Sequence, residues 1–130
     1  GRPRRCGWLD VAGLRLASRL NGLGALALTK LDVLRGLKKI RVCVGYRLEG
    51  AASILDEMPL DPDDLACAQP VYEELDGWDA DTRDVRDMED LPPAARKYVR
   101  RIQDLVGVPL SLISVGPGRA ETIVLKHPFR

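Results

Sequence analysis

The sequence predicts an α/β fold: part of a mainly parallel sheet flanked by helices. Apolar strand-like segments alternate with amphipathic helical ones along most of the chain, and no internal repeat or low-complexity stretch interrupts them. Two of the strands run directly into polar or glycine-bearing loops, the position at which α/β sheets hold ligands. At 130 residues, 45% apolar and 30% charged, the chain is one domain's worth of soluble, globular sequence with enough apolar surface for a core.

Residues 1–8 place Arg2, Arg4 and Arg5 between glycines and around Pro3, which reads as a loop presenting guanidinium groups. Their planar forks suit carboxylate and phosphate oxygens, although a solvated basic terminus has the same composition. A helix is predicted over 9–21. Leu9, Ala12, Leu16, Ala17 and Leu20 share one face, Arg15 and Arg19 another, and Asn21-Gly22 supplies the stop. A short buried strand over 25–29 follows, then a turn of helix around 32–37. From Ile40 to Leu48 apolar and polar residues alternate, the mark of a strand with one buried face.

Between 49 and 91 the pattern weakens. Pro59, Pro62 and Pro70 break it, acids dominate as a solvated face, and only Val71–Leu75 suggests a short edge strand. The acids of 61–64 match no known metal-loop spacing. Pro92-Pro93 opens a second helix with apolar residues at 95, 98, 99, 102, 105 and 106, closed by Gly107. Leu110–Val115 is a strand entering Gly116-Pro117-Gly118-Arg119, and 120–125 can add a last short strand.

The net charge of +1 conceals a segregation. Residues 1–55 carry 11 Lys/Arg against 3 Asp/Glu, 56–90 carry 2 against 14, and 91–130 carry 7 against 2. An acidic middle argues against a general nucleic-acid binder but permits a local anion site built from the basic ends. No run is long enough to span a membrane or resembles a signal peptide. Cys6, Cys43 and Cys67 lack C-x-x-C spacing and an even count, which fits free thiols in a reducing, cytoplasmic setting. A single histidine, His127, makes neither a zinc site nor a catalytic triad. The first residue is Gly1 rather than Met, so the chain is expected to begin inside something longer.

Two loops carry the chemistry. Thr29-Lys30-Leu31-Asp32 is a pattern that can read guanine: a carboxylate accepts two bonds, and guanine offers two adjacent donors at N1 and N2. Adenine lacks that pair, which would leave a buried aspartate unsatisfied at a cost of a few kcal/mol. The Lys30 stem can lie along the base while its ammonium stays wet. The alternative is that Asp32 merely caps a short helix. Ser114-Val115-Gly116-Pro117 ends the other strand, where Gly116 lets backbone approach a base closely.

Together, GRPRRCGWLD at 1–10, LTKLDVL at 28–34, PVYEEL at 70–75 and SVGP at 114–117 resemble the carboxyl-terminal portion of adenylosuccinate synthetase. The resemblance runs over nearly the whole chain and is weakest across 50–69. It implies a carboxyl-terminal fragment of a larger P-loop-like nucleotide-binding fold, with an arginine-rich substrate loop at 1–8 and guanine loops at 29–32 and 114–117. It further implies a GTP-dependent ligase that joins IMP and L-aspartate in AMP biosynthesis, homodimeric at full length and assisted by Mg2+ held mainly by the missing amino-terminal part. By motif, Gly1, Arg2 and Arg4 would bind IMP and aspartate, with Arg4 also meeting the guanine nucleotide. Lys30, Leu31 and Asp32 would form one side of the GTP pocket, and Ser114, Val115 and Gly116 the other. The family usually has an acid where this chain has Gly118. Its phosphate loop and its catalytic aspartate and histidine find no match here, so the isolated chain is expected to be inactive and to hold no catalytic residue. Two alternatives stand beside this: a stand-alone guanine-nucleotide module, although the P-loop that GTPases need is missing, and an interaction domain whose acidic middle meets a basic partner.

Overall fold

A computed structural model describes residues 2–127, and shows two three-stranded sheets that share one hydrophobic core. The first sheet has the order β1-β3-β4, from Leu9–Asp10 (β1), Lys39–Arg47 (β3) and Gln69–Asp76 (β4). The second has the order β2-β5-β6, from Leu26–Leu28 (β2), Leu110–Ser114 (β5) and Thr122–Val124 (β6). The α/β class holds, but the sheets are mixed rather than mainly parallel. Each contains one parallel pair, β1–β3 or β2–β5, and one antiparallel pair, β3–β4 or β5–β6. The parallel pairs are joined across a helix, as a crossover requires, whereas β5 and β6 are too close in sequence to pair otherwise than antiparallel.

Helix α1 spans Val11–Asn21, two residues shorter than predicted because Leu9 and Asp10 are drawn into β1. Asp10 caps it, accepting from the Gly13 amide at 2.9 Å, and Gly22 ends it in the left-handed region at φ 59°. The predicted apolar face holds at Ala12 and Leu16 but not at Leu20, which is 71% exposed. Leu20 lies in the last turn, beyond the sheet that buries the first two. Strand β2 is likewise less buried than predicted, with Ala27 exposed and its two leucines half-buried. It is an edge strand with a neighbour on one side only.

The alternation of β3 survives to Val42 and then slips by one, because a bulge between Cys43 and Gly45 lets both face inward. Gly45 is required there: a Cβ would stand 2.4 Å from the Leu55 carbonyl oxygen, across the Tyr46–Leu55 bridge. Strand β4 is the predicted edge strand, extended at both ends. The two helical segments not predicted are the 3₁₀ turn Met88–Asp90, and α2, Pro62–Cys67, whose cap Asp61 accepts from the amides of Asp63 and Asp64. Helix α3, Pro93–Val106, appears as predicted, with Ala95, Tyr98, Val99, Ile102 and Val106 buried. It seals the core beneath both sheets, together with Ile40, Val42, Leu110, Ile113 and Ile123.

Most carboxylates of the acidic middle are exposed, as the sequence suggests, but part of the stretch is paired. Its carboxylates pair with cations from the two basic ends: Glu57 with Arg19, Glu73 with Arg101, Asp76 with Lys39, Asp81 with Arg35, and Glu89 with both Arg96 and Arg100. The charge segregation in the sequence is therefore in part folding complementarity within one domain.

Candidate nucleotide site

Strands β2 and β5 are parallel neighbours, with Leu28 opposite Ile113. Each strand ends there, so Thr29 leaves the sheet beside Ser114 and the two predicted base loops emerge side by side from one sheet end. Five-residue β5 and three-residue β2 thus bring together segments more than 80 residues apart in sequence.

The first loop turns sharply. Lys30 adopts φ 61° and ψ 36°, and among the described residues no other non-glycine has positive φ. A left-handed lysine costs about 1 kcal/mol, and such strain persists where the surroundings over-determine it, commonly at ligand sites. A 3₁₀ turn over Leu31–Leu34 follows. Leu31 is 1% exposed and anchors the loop in the core, while Lys30 is exposed and Asp32 half-buried. The cap position of this turn is Lys30, not Asp32. Among the described residues the Asp32 carboxylate has no hydrogen-bond or ion-pair partner, so the capping alternative fails and both its oxygens are available.

The second loop is braced from within. The Ser114 hydroxyl donates to the Gly116 carbonyl at 2.9 Å, and the Val115 amide donates to the Glu121 carbonyl at 2.9 Å. The Glu121 carboxylate accepts from the Gly118 amide. Val115 is fully buried and Gly116 nearly so. A Cβ on Gly116 would stand 2.5 Å from Glu121 Oε2 and 3.2 Å from the Arg83 Cγ. The glycine therefore admits the protein's own Glu121 and Arg83, a reason beyond the close approach of a base that the sequence suggested. At Gly118 a Cβ would lie 2.9 Å from the same carboxylate oxygen, the far end of a flexible side chain that can move aside.

Sequence reasoning missed the segment that joins these loops. The Gly36 amide donates to the Trp78 carbonyl at 2.8 Å, and the Gly77 amide to the Lys38 carbonyl at 3.0 Å. Arg35 donates to the Asp79 carbonyl and to Asp81 Oδ2, each at 2.8 Å. Asp81 also accepts from Arg83, through the backbone amide and through the guanidinium. This drives the Asp81 carboxyl far below the usual carboxylate range, the Arg83 side-chain hydrogen bonds being the largest cause. No motif marks these residues; in sequence they read as one more acidic stretch.

Arg2 and Arg4 are exposed in a segment without regular structure, and among the described residues no hydrogen bond or ion pair ties either to the two predicted base loops. Gly1 lies outside the described residues. Leu9, just after the arginine segment, lines an apolar groove with Leu14, Leu26, Leu28, Thr29, Ile102 and Leu110, so the arginine segment enters the fold at the flank of β2. For a divalent cation the fit is poor. Among the described residues no three His, Cys, Asp or Glu side chains gather, and Asp61 is committed to its cap. Among those residues, too, no helix is long and apolar enough to cross a membrane.

A model of the adenylosuccinate synthetase family matches residues 1–123. The chain belongs to the adenylosuccinate synthetase family. It is 55% identical over its whole length to the adenylosuccinate synthetase of Anaeromyxobacter sp. (strain Fw109-5), covering 30% of that protein. It is 53% identical over 98% of its length to the one of Caldanaerobacter subterraneus subsp. tengcongensis, covering 29%. Among solved structures, the fully ligated adenylosuccinate synthetase from Plasmodium falciparum superposes with a TM-score of 0.90 at 37% identity, over 96% of this chain and 30% of that one. The chain thus spans about 30% of the length of the relatives it matches.

Proposed function

We propose that this chain is the guanine-recognising and substrate-arginine segment of a GTP-dependent adenylosuccinate synthetase. The observation that carries the reading is the parallel β2–β5 pairing, which sets Lys30–Asp32 and Ser114–Gly116 side by side, with an Asp32 carboxylate that has no partner among the described residues next to core-anchored Leu31. Asp32 accepts from N1–H and N2–H of guanine, the Lys30 stem covers the base, and backbone of the second loop meets its O6 edge. Arg2 and Arg4, with Gly1, receive IMP and the aspartate carboxylate. The reaction of the full enzyme moves the GTP γ-phosphoryl group to the IMP 6-oxygen. The aspartate amine then bonds to C6, inorganic phosphate leaves, and the amine loses a proton. GDP, phosphate and adenylosuccinate result.

On the order of its four motifs we place the segment in the carboxyl-terminal part of a cytoplasmic, homodimeric enzyme. The phosphate loop, the catalytic groups and the principal Mg2+ ligands would precede it, and the isolated chain would be inactive. Sequencing the gene upstream of the Gly1 codon tests this. A glycine-rich phosphate loop encoded there supports the placement; a start codon directly before Gly1 overturns it.

The base assignment is tested by titrating the chain with GDP and with ADP while following amide NMR shifts. GDP-selective shifts at Lys30–Asp32 and Ser114–Gly116, abolished by Asp32→Asn, are the expected result. Equal shifts with ADP would refute guanine recognition. The interaction-domain alternative is weakened where Glu57, Glu73, Glu74, Asp76, Asp81 and Glu89 of the acidic middle already pair with the chain's own cations.

A further inference from the structure

We propose that Asp81 is a positioning residue for guanine recognition: it ties the Lys30–Asp32 loop to the Ser114–Gly116 loop through Arg35 on one side and Arg83 on the other. The proposal rests on the guanine reading above and adds to it a residue that touches neither the base nor the phosphates.

The link is continuous. The Asp32 carbonyl accepts from the Arg35 amide at 3.2 Å, so Arg35 is the residue on which the first base loop closes. Its guanidinium reaches Asp81 Oδ2 at 2.8 Å. The same oxygen accepts from Arg83 Nη2 at 2.6 Å, and Oδ1 from the Arg83 amide at 3.0 Å. The Arg83 stem then lies over Gly116, where its Cγ is 3.2 Å from the place a Cβ would occupy. Arg83 also feels the Glu121 carboxylate that braces Gly118. Thr82, between Asp81 and Arg83, is 1% exposed and fixes the link to the core.

The charges themselves add little to stability, because Arg35, Arg83 and Asp81 are all more than a third exposed. Their effect is geometric. Neither base loop is held by a long strand: β2 has three residues, and the second loop must stay within hydrogen-bond reach of the same base. An error of about 1 Å between them is enough to weaken recognition substantially. A carboxylate can accept from both arginines at once, whereas an amide offers one acceptor atom and a donor that repels the second guanidinium.

The test uses the full-length enzyme carrying this segment. Asp81→Asn is expected to raise the KM for GTP about ten-fold, with kcat and the KM values for IMP and aspartate nearly unchanged, and with an unaltered thermal midpoint. Asp81→Glu should recover much of the loss. Asp32→Asn is the control for the underlying reading, and the double variant should lose less than the product of the two single losses. If Asp32→Asn damages GTP use and Asp81→Asn does not, the positioning role is refuted and the guanine reading survives. If Asp32→Asn leaves the KM for GTP untouched, the guanine reading itself falls. A uniform loss across all three substrates with a lowered thermal midpoint would show Asp81 to be merely structural, and would equally overturn the proposal.

Discussion

Gly77→Ala should be among the most damaging single-methyl additions in this chain. A Cβ at Gly77 would stand 1.7 Å from the Leu37 carbonyl oxygen and 2.7 Å from its carbon. Ordinary contact needs about 3.4 Å, so the two backbones must part by more than 1.5 Å. No rotamer change relieves this, because the obstacle is main chain. The separation removes the Gly77–Lys38 and Gly36–Trp78 hydrogen bonds, of 3.0 and 2.8 Å, each contributing about 1 kcal/mol. It also displaces Trp78, 6% exposed, whose ring lies 5.9 Å from that of Tyr98. With the overpacking strain, the expected destabilisation is about 2–4 kcal/mol. Urea unfolding should show a lowered midpoint at unchanged slope, and a thermal midpoint roughly 6–12 °C lower. Gly7→Ala, where a Cβ meets nothing within 4 Å, is the control and should stay within about 0.5 kcal/mol. A Gly77→Ala protein as stable as that control would show that this junction yields freely, and would remove the ground for treating 77–83 as a firm tie between the base loops.

Thr82→Val should be neutral or stabilising by up to about 1 kcal/mol, since the Thr82 hydroxyl is buried without a hydrogen-bond partner among the described residues; a clear destabilisation in urea unfolding would mean that the hydroxyl is satisfied after all. The Glu73 carboxyl is held below its ordinary pKa of 4.5, first by its hydrogen bonds from Arg101, so its contribution is complete above about pH 4.5 and is lost as pH falls through the lowered value. Glu73→Gln should therefore flatten the stability profile below pH 4.5 and cost roughly 0.5 kcal/mol at pH 7, the pair being partly solvent-screened; an unchanged acid limb would refute the linkage.

Helix α3 was legible because every rule agreed on it: proline at the first turn, one apolar face, and glycine at the stop. The same agreement placed α1, and it failed at Leu20 only because periodicity reports a face and not how far the opposing sheet extends. The bulge in β3 was hidden, since Cys43, Val44 and Gly45 carry no sign of which one breaks the alternation. Asp61-Pro62 was in fact a readable helix start, a capping residue followed by proline, but it was submerged among neighbouring acids. Division into two mixed sheets could not be read at all, because pairing between Leu28 and Ile113 depends on segments far apart in the chain. The two proposed base loops stand out in the sequence as motifs; their juxtaposition does not.

The same contrast separates the residues proposed to face the nucleotide from those proposed to hold them in place. Lys30 and Asp32 break local rules: a lysine accepts a left-handed backbone, and a half-buried carboxylate goes without a partner among the described residues. Such violations are unfavourable in isolation, and residues that carry them stand out once the backbone is known. Asp81, Arg83 and Glu121 break no rule. Each satisfies its charge with a neighbour, and each is indistinguishable in sequence from the ordinary ion pairs that join the acidic middle to the basic ends. What distinguishes them is only where their partners lie, at the exit of one base loop and over the glycine of the other. Arg2 and Arg4, like Arg5, Lys30 and Lys38, lie outside every ion pair formed among the described residues, so on the proposed reading no internal pair has to break before they meet an anionic substrate.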